Sequence, residues 1–354
     1  VFPFRVFCRR RTTLAPHEVV EFYPSYGYQP AADENWRIVV QGGVFNPRLP
    51  WLRRRPVMSV LRRAMKVEVA SLERFRQRMH RFLLDPEHGR QVSIRIGDLT
   101  FAAGTSNPAG LFRQEIDLTA EITDRLSKRD EALRRWLSYS AELLTTDPRL
   151  FTGYVQLIEP DGVSIVSDVD DTIKHSNVPN RRDLVQNTFA REFAPIDGMA
   201  ALYQECASRG AAFHFVSGSP WQLFDPLVEF LRAHAFPQGS FHLRSFRIRD
   251  TARKMRGPTS QLAHKRTALE PILKAFPRRK FLLVGDSGEQ DPLIYGGFLR
   301  ERPEQIVGVY IRALHGETTD DLRLRAAFDG CPADRWRVYR APGEIRDEVL
   351  QHLA

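Results

Sequence analysis

The second half of the chain alternates short apolar runs with longer amphipathic stretches. Val163–Val169, Ala212–Val216, Phe281–Val284 and Ile306–Ile311 are largely apolar and of strand length. Between them, Met199–Arg209, Leu223–His234 and His264–Ala275 repeat apolar residues at helical spacing. This alternation predicts an α/β domain over about residues 155–354, a parallel sheet with helices on both faces.

The first half, residues 1–154, reads differently. Trp36–Phe45, Gln91–Phe101, Leu111–Leu118, Trp136–Leu144 and Tyr154–Ile158 look like strands, with turn signals at Gly42-Gly43, Asn46-Pro47 and Asn107-Pro108. The pattern predicts a small β-rich, sandwich-like domain. A helical insertion over about 57–84 interrupts it, with Leu61, Met65, Leu72, Phe75, Met79 and Phe82 at helical spacing.

Composition narrows the class. The 354 residues are 42% hydrophobic and 27% charged, which excludes a disordered chain and a polytopic membrane protein. That length fits roughly two domains and needs no covalent staple. Cys8, Cys206 and Cys331 are odd in number and far apart, so neither a disulfide framework nor a zinc site is expected. No apolar run is long enough to span a bilayer, and a cytoplasmic location with peripheral membrane contact is the expectation. The first residue is Val rather than Met, which leaves open a preceding segment.

The net charge of +9 is local. Residues 48–91 hold twelve Lys/Arg against four Asp/Glu, with Arg62, Arg63, Lys66, Arg74, Arg78 and Arg81 beside the apolar stripe of the insertion. Such a helix either lies on an anionic membrane or packs on the β-rich domain and shows a solvated basic face.

The candidate chemistry lies at strand ends. Ser164–Thr172 reads Ser-Ile-Val-Ser-Asp-Val-Asp-Asp-Thr and presents Asp168 and Asp170 where an apolar strand stops. The carboxyl end of a strand in an open α/β sheet faces the ligand crevice. One carboxylate there can ligate a hard cation and act as nucleophile while its neighbour exchanges a proton. An EF-hand is excluded, because the loop lacks Gly at its sixth position and Glu at its twelfth. Downstream, Phe213-His-Phe-Val-Ser217-Gly-Ser-Pro ends a strand in a hydroxyl and a turn, which suits an anion. Lys265 opens an apolar-periodic helix. Phe281-Leu-Leu-Val-Gly-Asp286-Ser-Gly-Glu-Gln-Asp291 is another buried strand ending in acids. Asp286 can complete a Mg²⁺ site with Asp168, the Asp170 carbonyl and waters. Each piece alone has an ordinary structural reading. Gly285-Asp-Ser-Gly288 superficially resembles a serine-protease nucleophile, but it ends a buried strand and Glu289 follows where Gly is usual.

Taken in order within one domain, these elements resemble the haloacid-dehalogenase-like (HAD-like) phosphatase superfamily. The longer strings Ser167–Val178, Val216–Leu223 and Gly285–Pro292 look like the actin-patch phosphatidate phosphatase catalytic-domain family. The resemblance covers about 155–345. It implies a Rossmannoid sheet, and residues 173–197 leave room for little or no cap. It implies Asp168 as nucleophile, Asp170 as acid and base, and Ser217 and Lys265 on the phosphoryl oxygens. It also places Thr172, Lys174, Gly218 and Ser219 beside phosphate or substrate, and Asp168, Asp170, Asp286 and Asp291 around Mg²⁺. Trp221, Leu223 and Phe224 either line the mouth of the site or pack the helix on the sheet.

The expected function is a Mg²⁺-dependent phosphatidate phosphatase, forming diacylglycerol and phosphate through an aspartyl-phosphate at an anionic membrane surface. Two alternatives stand beside it. One is a phosphomonoesterase for soluble or nucleic-acid-end phosphates, although a nucleic-acid partner is not favoured. The other is a non-catalytic lipid- or protein-binding scaffold, which would have no need of all five of Asp168, Asp170, Ser217, Lys265 and Asp286.

Overall fold

A computed structural model describes residues 14–30, 35–47, 71–129, 135–177, 181–245 and 258–353. The chain divides into two compact units. One comprises Val1–Arg54, Leu83–Pro160 and Gly239–Phe241; the other comprises Arg55–Phe82, Asp161–Gln238 and His242–Ala354. Among the described residues, no helix is long and apolar enough to cross a membrane.

The helical insertion is described only as α1, Leu72–Phe82; residues 57–70, with Leu61, Arg62, Arg63, Met65 and Lys66, lie outside the described residues, as does Cys8. Helix α1 groups with the second unit rather than with the β-rich one. Phe75, Met79 and Phe82 form its buried stripe, and Arg78 is buried with them.

The first unit holds β1 (Val19–Phe22), β2 (Ser25–Tyr28), β3 (Trp36–Asn46), β4 (Asp85–Pro86), β5 (Gln91–Ile96), β6 (Leu99–Thr105), β7 (Leu111–Leu118), α2 (Ala120–Leu126), β8 (Lys128–Arg129), β9 (Arg135–Ala141) and β10 (Thr152–Leu157). Their pairing forms one ten-stranded sheet, ordered β1-β3-β2-β10-β9-β5-β6, with β4 and β7 on β3 and β8 on β9. The long strand β3 makes this possible. It pairs β7 from Trp36↔Leu118 to Gly43↔Leu111, and also pairs β2 near Ile38 and β1 from Gly42 to Phe45. Where β1 crosses Gly42, a Cβ would lie 2.2 Å from the Glu21 carbonyl oxygen, so the close approach requires glycine. Inward positions such as Phe112, Ile116, Leu137, Tyr139 and Val155 share one core. The sequence expectation of a single strand over 91–101 fails at Gly97-Asp98, a two-residue turn with Gly97 at φ +57°. The short strands β1 and β2 had no sequence expectation.

The second unit is mixed α/β. Its strands are β11 (Val163–Ser167), β12 (Ala212–Pro220), β13 (Ser240–Arg244), β14 (Lys280–Asp286), β15 (Ile306–Arg312) and β16 (Trp336–Tyr339), in the order β13-β12-β11-β14-β15-β16. The pairs β11–β12, β11–β14, β14–β15 and β15–β16 are parallel. Its further helices are α3 (Arg181–Phe189), α4 (Met199–Ser208), α5 (Phe224–Ala233), α6 (Pro258–Ala275), α7 (Asp291–Glu301), α8 (Leu322–Ala327) and α9 (Arg346–Gln351). Their stripes are those of sheet-packed helices: α4 buries Met199, Leu202, Tyr203, Cys206 and Ala207. Every residue of β14 after Lys280 is buried, as expected of an interior parallel strand. Residues 173–197 contain the nine-residue α3.

Candidate active site

Strand order reverses at β11. The chain moves outward through β12 and β13, then returns to the other side of β11 with β14. A reversal of this kind opens a crevice at the carboxyl ends of the two central strands. Asp168 follows β11 and Asp286 ends β14; the Asp168 amide donates to the Val284 carbonyl at 2.9 Å, tying the two ends together.

The loop after Asp168 folds back on itself. Asp171 takes a left-handed conformation (φ 57°), and its Oδ1 accepts from the amides of Ser176 and Asn177, each at 2.7 Å. This turn brings Lys174 and Ser176 onto Asp170. Lys174 Nζ donates to Asp170 Oδ1 at 2.8 Å and Ser176 Oγ to the same oxygen at 2.6 Å; Lys174 also donates to Ser176 Oγ. At the end of β12, Ser217 Oγ and Ser219 Oγ donate to Asp170 Oδ2 at 3.0 and 2.7 Å, across the turn that contains Gly218. Burial alone would raise the Asp170 carboxyl, but Lys174 and the hydroxyls outweigh it and hold the group well below the usual range.

Asp168 has the opposite setting. It is fully buried, its Oδ2 accepts from Thr172 Oγ1 at 3.1 Å, and its Oδ1 lies 2.7 Å from Lys265 Nζ. Lys265 Nζ also meets Glu289 Oε2 at 3.0 Å and Asp291 Oδ1 at 2.5 Å. One lysine therefore faces three carboxylates, and Asp286 stands beside them. Burial raises Asp168, Asp286 and Glu289, and the mutual repulsion of the acids adds to it. Burial would lower Lys265, but its carboxylate partners prevail and raise it.

Oxygens of Asp168, Asp286 and Glu289 lie within 4.8 Å of one another. Asp286 Oδ1 accepts from the amides of Gly288 (2.6 Å) and Glu289 (3.1 Å), which leaves Oδ2 buried with no partner. An orphaned carboxylate oxygen among hard oxygen donors with excess negative charge fits a cation such as Mg²⁺.

The arrangement of the acids differs from the metal expectation at Asp291. Asp291 is not in this trio, since Oδ1 faces Lys265 and Oδ2 accepts from the Asp286 amide at 3.3 Å. The Asp170 carboxylate is committed to Lys174 and three hydroxyls, which leaves only its backbone carbonyl, the expected donor, for a cation. Glu289, passed over as a ligand in the sequence, occupies the third corner. Its only signal was its place three residues after Asp286. Lys174, expected beside phosphate, is instead a buried partner of Asp170, with Nζ 4.5 Å from the centre of the Phe193 ring. Ser287 donates to Glu317 at 2.9 Å, which removes the serine-nucleophile reading. His264 faces the Ser217 carbonyl at 3.1 Å and is pushed down to about 4, mainly by burial. Trp221 and Phe224, half-buried, pack with ring centres 6.2 Å apart, and Leu223 is buried.

Residues 163–313, which carry Asp168, Asp170, Ser217, Lys265, Asp286 and Glu289, match the family described as the phosphatidate phosphatase APP1 catalytic domain. The likeness is confined to this domain, less than half of the chain's 354 residues. The phosphatidate phosphatase APP1 of Saccharomyces cerevisiae is 35% identical over 178 residues, covering 49% of this chain and 30% of the yeast protein. An uncharacterized protein of Schizosaccharomyces pombe is 32% identical over 175 residues, covering 48% of this chain and 28% of that one. The chain thus spans under a third of the length of either relative.

Proposed function

We propose that the chain is a Mg²⁺-dependent phosphatase that hydrolyses phosphatidate to diacylglycerol and phosphate. The observation that carries the reading is the contrast between two carboxylates at the end of one strand. Asp168 stands beside Lys265 and the acidic trio; Asp170 is held ionised by Lys174 and hydroxyls. The yeast relative's name supplies the substrate.

In the first step an Asp168 carboxylate oxygen attacks phosphorus and the bond to the glycerol oxygen breaks. Asp170 gives that oxygen a proton. Asp170 takes this proton from water once an anionic substrate draws the Ser217 and Ser219 hydroxyls toward its own oxygens, because losing those hydrogen bonds raises the carboxyl. In the second step water attacks phosphorus, its proton passes to Asp170, and the Asp168–phosphate bond breaks. Lys265 offsets charge on the transferring group. Asp168, Asp286 and Glu289 would hold Mg²⁺, which when bound supplies further charge neutralisation.

Phosphate release from phosphatidate in mixed micelles tests this, against lysophosphatidate, sugar phosphates and 3′-phosphorylated oligonucleotides. Asp168→Asn should abolish Mg²⁺-dependent release while thermal unfolding stays cooperative. Retained activity would remove the nucleophile assignment, and preference for a soluble ester would defeat the lipid substrate.

A further inference from the structure

The first unit carries a surface that the catalytic reading does not use. Among the described residues, five large hydrophobic side chains are exposed, and three belong to one hairpin. Leu144 (46% exposed) and Leu150 (71%) lie in the connection between β9 and β10, and Tyr154 (50%) on β10. A cavity of about 550 Å³ opens on the outer face of the same strands.

Strand register orders that face. Arg95, Ser140 and Thr152 form one outward row, Ser138 and Tyr154 the next, and Lys128 and Trp136 the last. Exposed cations thus stand at both ends, with Tyr154 between them, Trp136 beside Lys128, and Leu150 also lining the cavity. No carboxylate lines the cavity among the described residues; Glu142 pairs with Arg95 at 3.5 Å.

Leu150 is not on a loose tip. Its neighbour Arg149 grips Asp147 through Nε (2.9 Å) and the terminal guanidinium (2.6 Å), and donates to the Glu18 carbonyl at 2.5 Å. On its other side the Phe151 carbonyl accepts from the Ala141 amide at 2.8 Å, and the Phe151 ring packs on the core. The backbone therefore holds the leucine outward. A fixed, solvated leucine beside rings with one polar end and exposed cations is the chemistry of the headgroup layer. Trp and Tyr concentrate there, and Lys and Arg meet anionic lipid.

We infer that this outer face of β5, β9 and β10 docks on an anionic phospholipid surface, with Leu150 entering below the headgroups and Arg95 and Lys128 contacting phosphates. The inference is independent of the catalytic reading, because its probe contains no phosphatidate.

The test is co-sedimentation of the full chain with phosphatidylcholine vesicles containing phosphatidylserine. Leu150→Asp with Tyr154→Ser should weaken binding about tenfold, the scale of removing a buried apolar side chain. Arg95→Gln with Lys128→Gln should weaken it about fivefold per residue and flatten its salt dependence. An unchanged melting temperature and unchanged hydrolysis in detergent micelles confirm that the variants are folded. Failure of the unaltered chain to bind, or a Leu150→Asp/Tyr154→Ser variant that binds as well as the parent, would overturn the inference. Vesicle binding by a chain that releases no phosphate from phosphatidate in mixed micelles would overturn the catalytic proposal alone.

Discussion

Asp286→Asn should make the metal-free protein more stable while destroying its response to Mg²⁺. Asp286 Oδ1 accepts two backbone amides, and an asparagine keeps that oxygen in place. The substitution changes the other position, where a buried oxygen without a partner faces the carboxylates of Asp168 and Glu289. An NH₂ there removes a charge that burial and the neighbouring acids oppose, and offers those acids a donor. A buried polar atom left unsatisfied costs about 1–3 kcal/mol. Taking the lower part of that range, about 1–2 kcal/mol, and about 2–4 °C per kcal/mol for a unit of this size, the variant should melt ~2–8 °C higher in EDTA.

Mg²⁺ should invert the order. A ligand at a hundred times its Kd stabilises a protein by about 2.7 kcal/mol. The parent should gain this and the variant most of it should not, so their melting curves cross between EDTA and saturating Mg²⁺. Differential scanning fluorimetry on both proteins in both conditions provides the assay. A variant that melts below the parent in EDTA, or that rises equally with Mg²⁺, would refute the argument that Asp286 is a carboxylate left unpaired for a cation.

Two further outcomes follow from buried ionisable groups. Lys265→Met strips the counter-charge from Asp168, Glu289 and Asp291, so stability measured by urea unfolding should fall by about 3–5 kcal/mol without metal. His214, on β12 among Phe276, Phe281 and His242, is pushed down to about 3 by burial, with Arg279 adding to it. Its neutral form therefore contributes stability that is complete above its ordinary value of 6.5 and is lost as pH falls from there toward 3. At pH 5 the loss should be about 2 kcal/mol, so His214→Phe should lose correspondingly less than the parent between pH 7.5 and pH 5 in urea unfolding.

The positions of the acids were legible because apolar runs of strand length can end in only a few ways. Phe281–Val284 is wholly buried, so the residues just beyond it meet the crevice. Which oxygen faces which partner was not legible. Lys174 lies four residues beyond Asp170, and in an extended loop the two would be far apart. The left-handed turn at Asp171 folds one onto the other, and a non-glycine residue gives no warning of such a turn. In the same way Glu289 and Asp291 are both acids close after Asp286, and only the backbone path decides that one joins the trio while the other faces Lys265 and the Asp286 amide. In the β-rich unit, four-residue strands such as β1 and β2 are too short for alternation to mark them.

The basic helix shows why a stripe does not name its partner. Arg74, Arg78 and Arg81 read equally well as a solvated face and as a lipid-binding one, because helical spacing fixes which residues share a side and not what covers it. In the structure these charges are already used within the second unit. Arg74 pairs with Glu192 at 2.5 Å and Arg81 with Asp225. Arg78, only 8% exposed, donates to the carbonyls of Thr188 (2.7 Å) and Arg191 (2.9 Å), and its guanidinium lies 3.8 Å from the centre of the Phe193 ring. A guanidinium bonded to carbonyls and stacked on a ring has little left to offer a phosphate. Membrane attraction by this helix would first have to break those contacts, whereas Lys128 on the β-rich unit stands exposed, and exposed Arg95 there has only the 3.5 Å pair with Glu142. The excess of basic residues in the sequence thus pointed to one segment, while the face inferred to meet lipid lies in another.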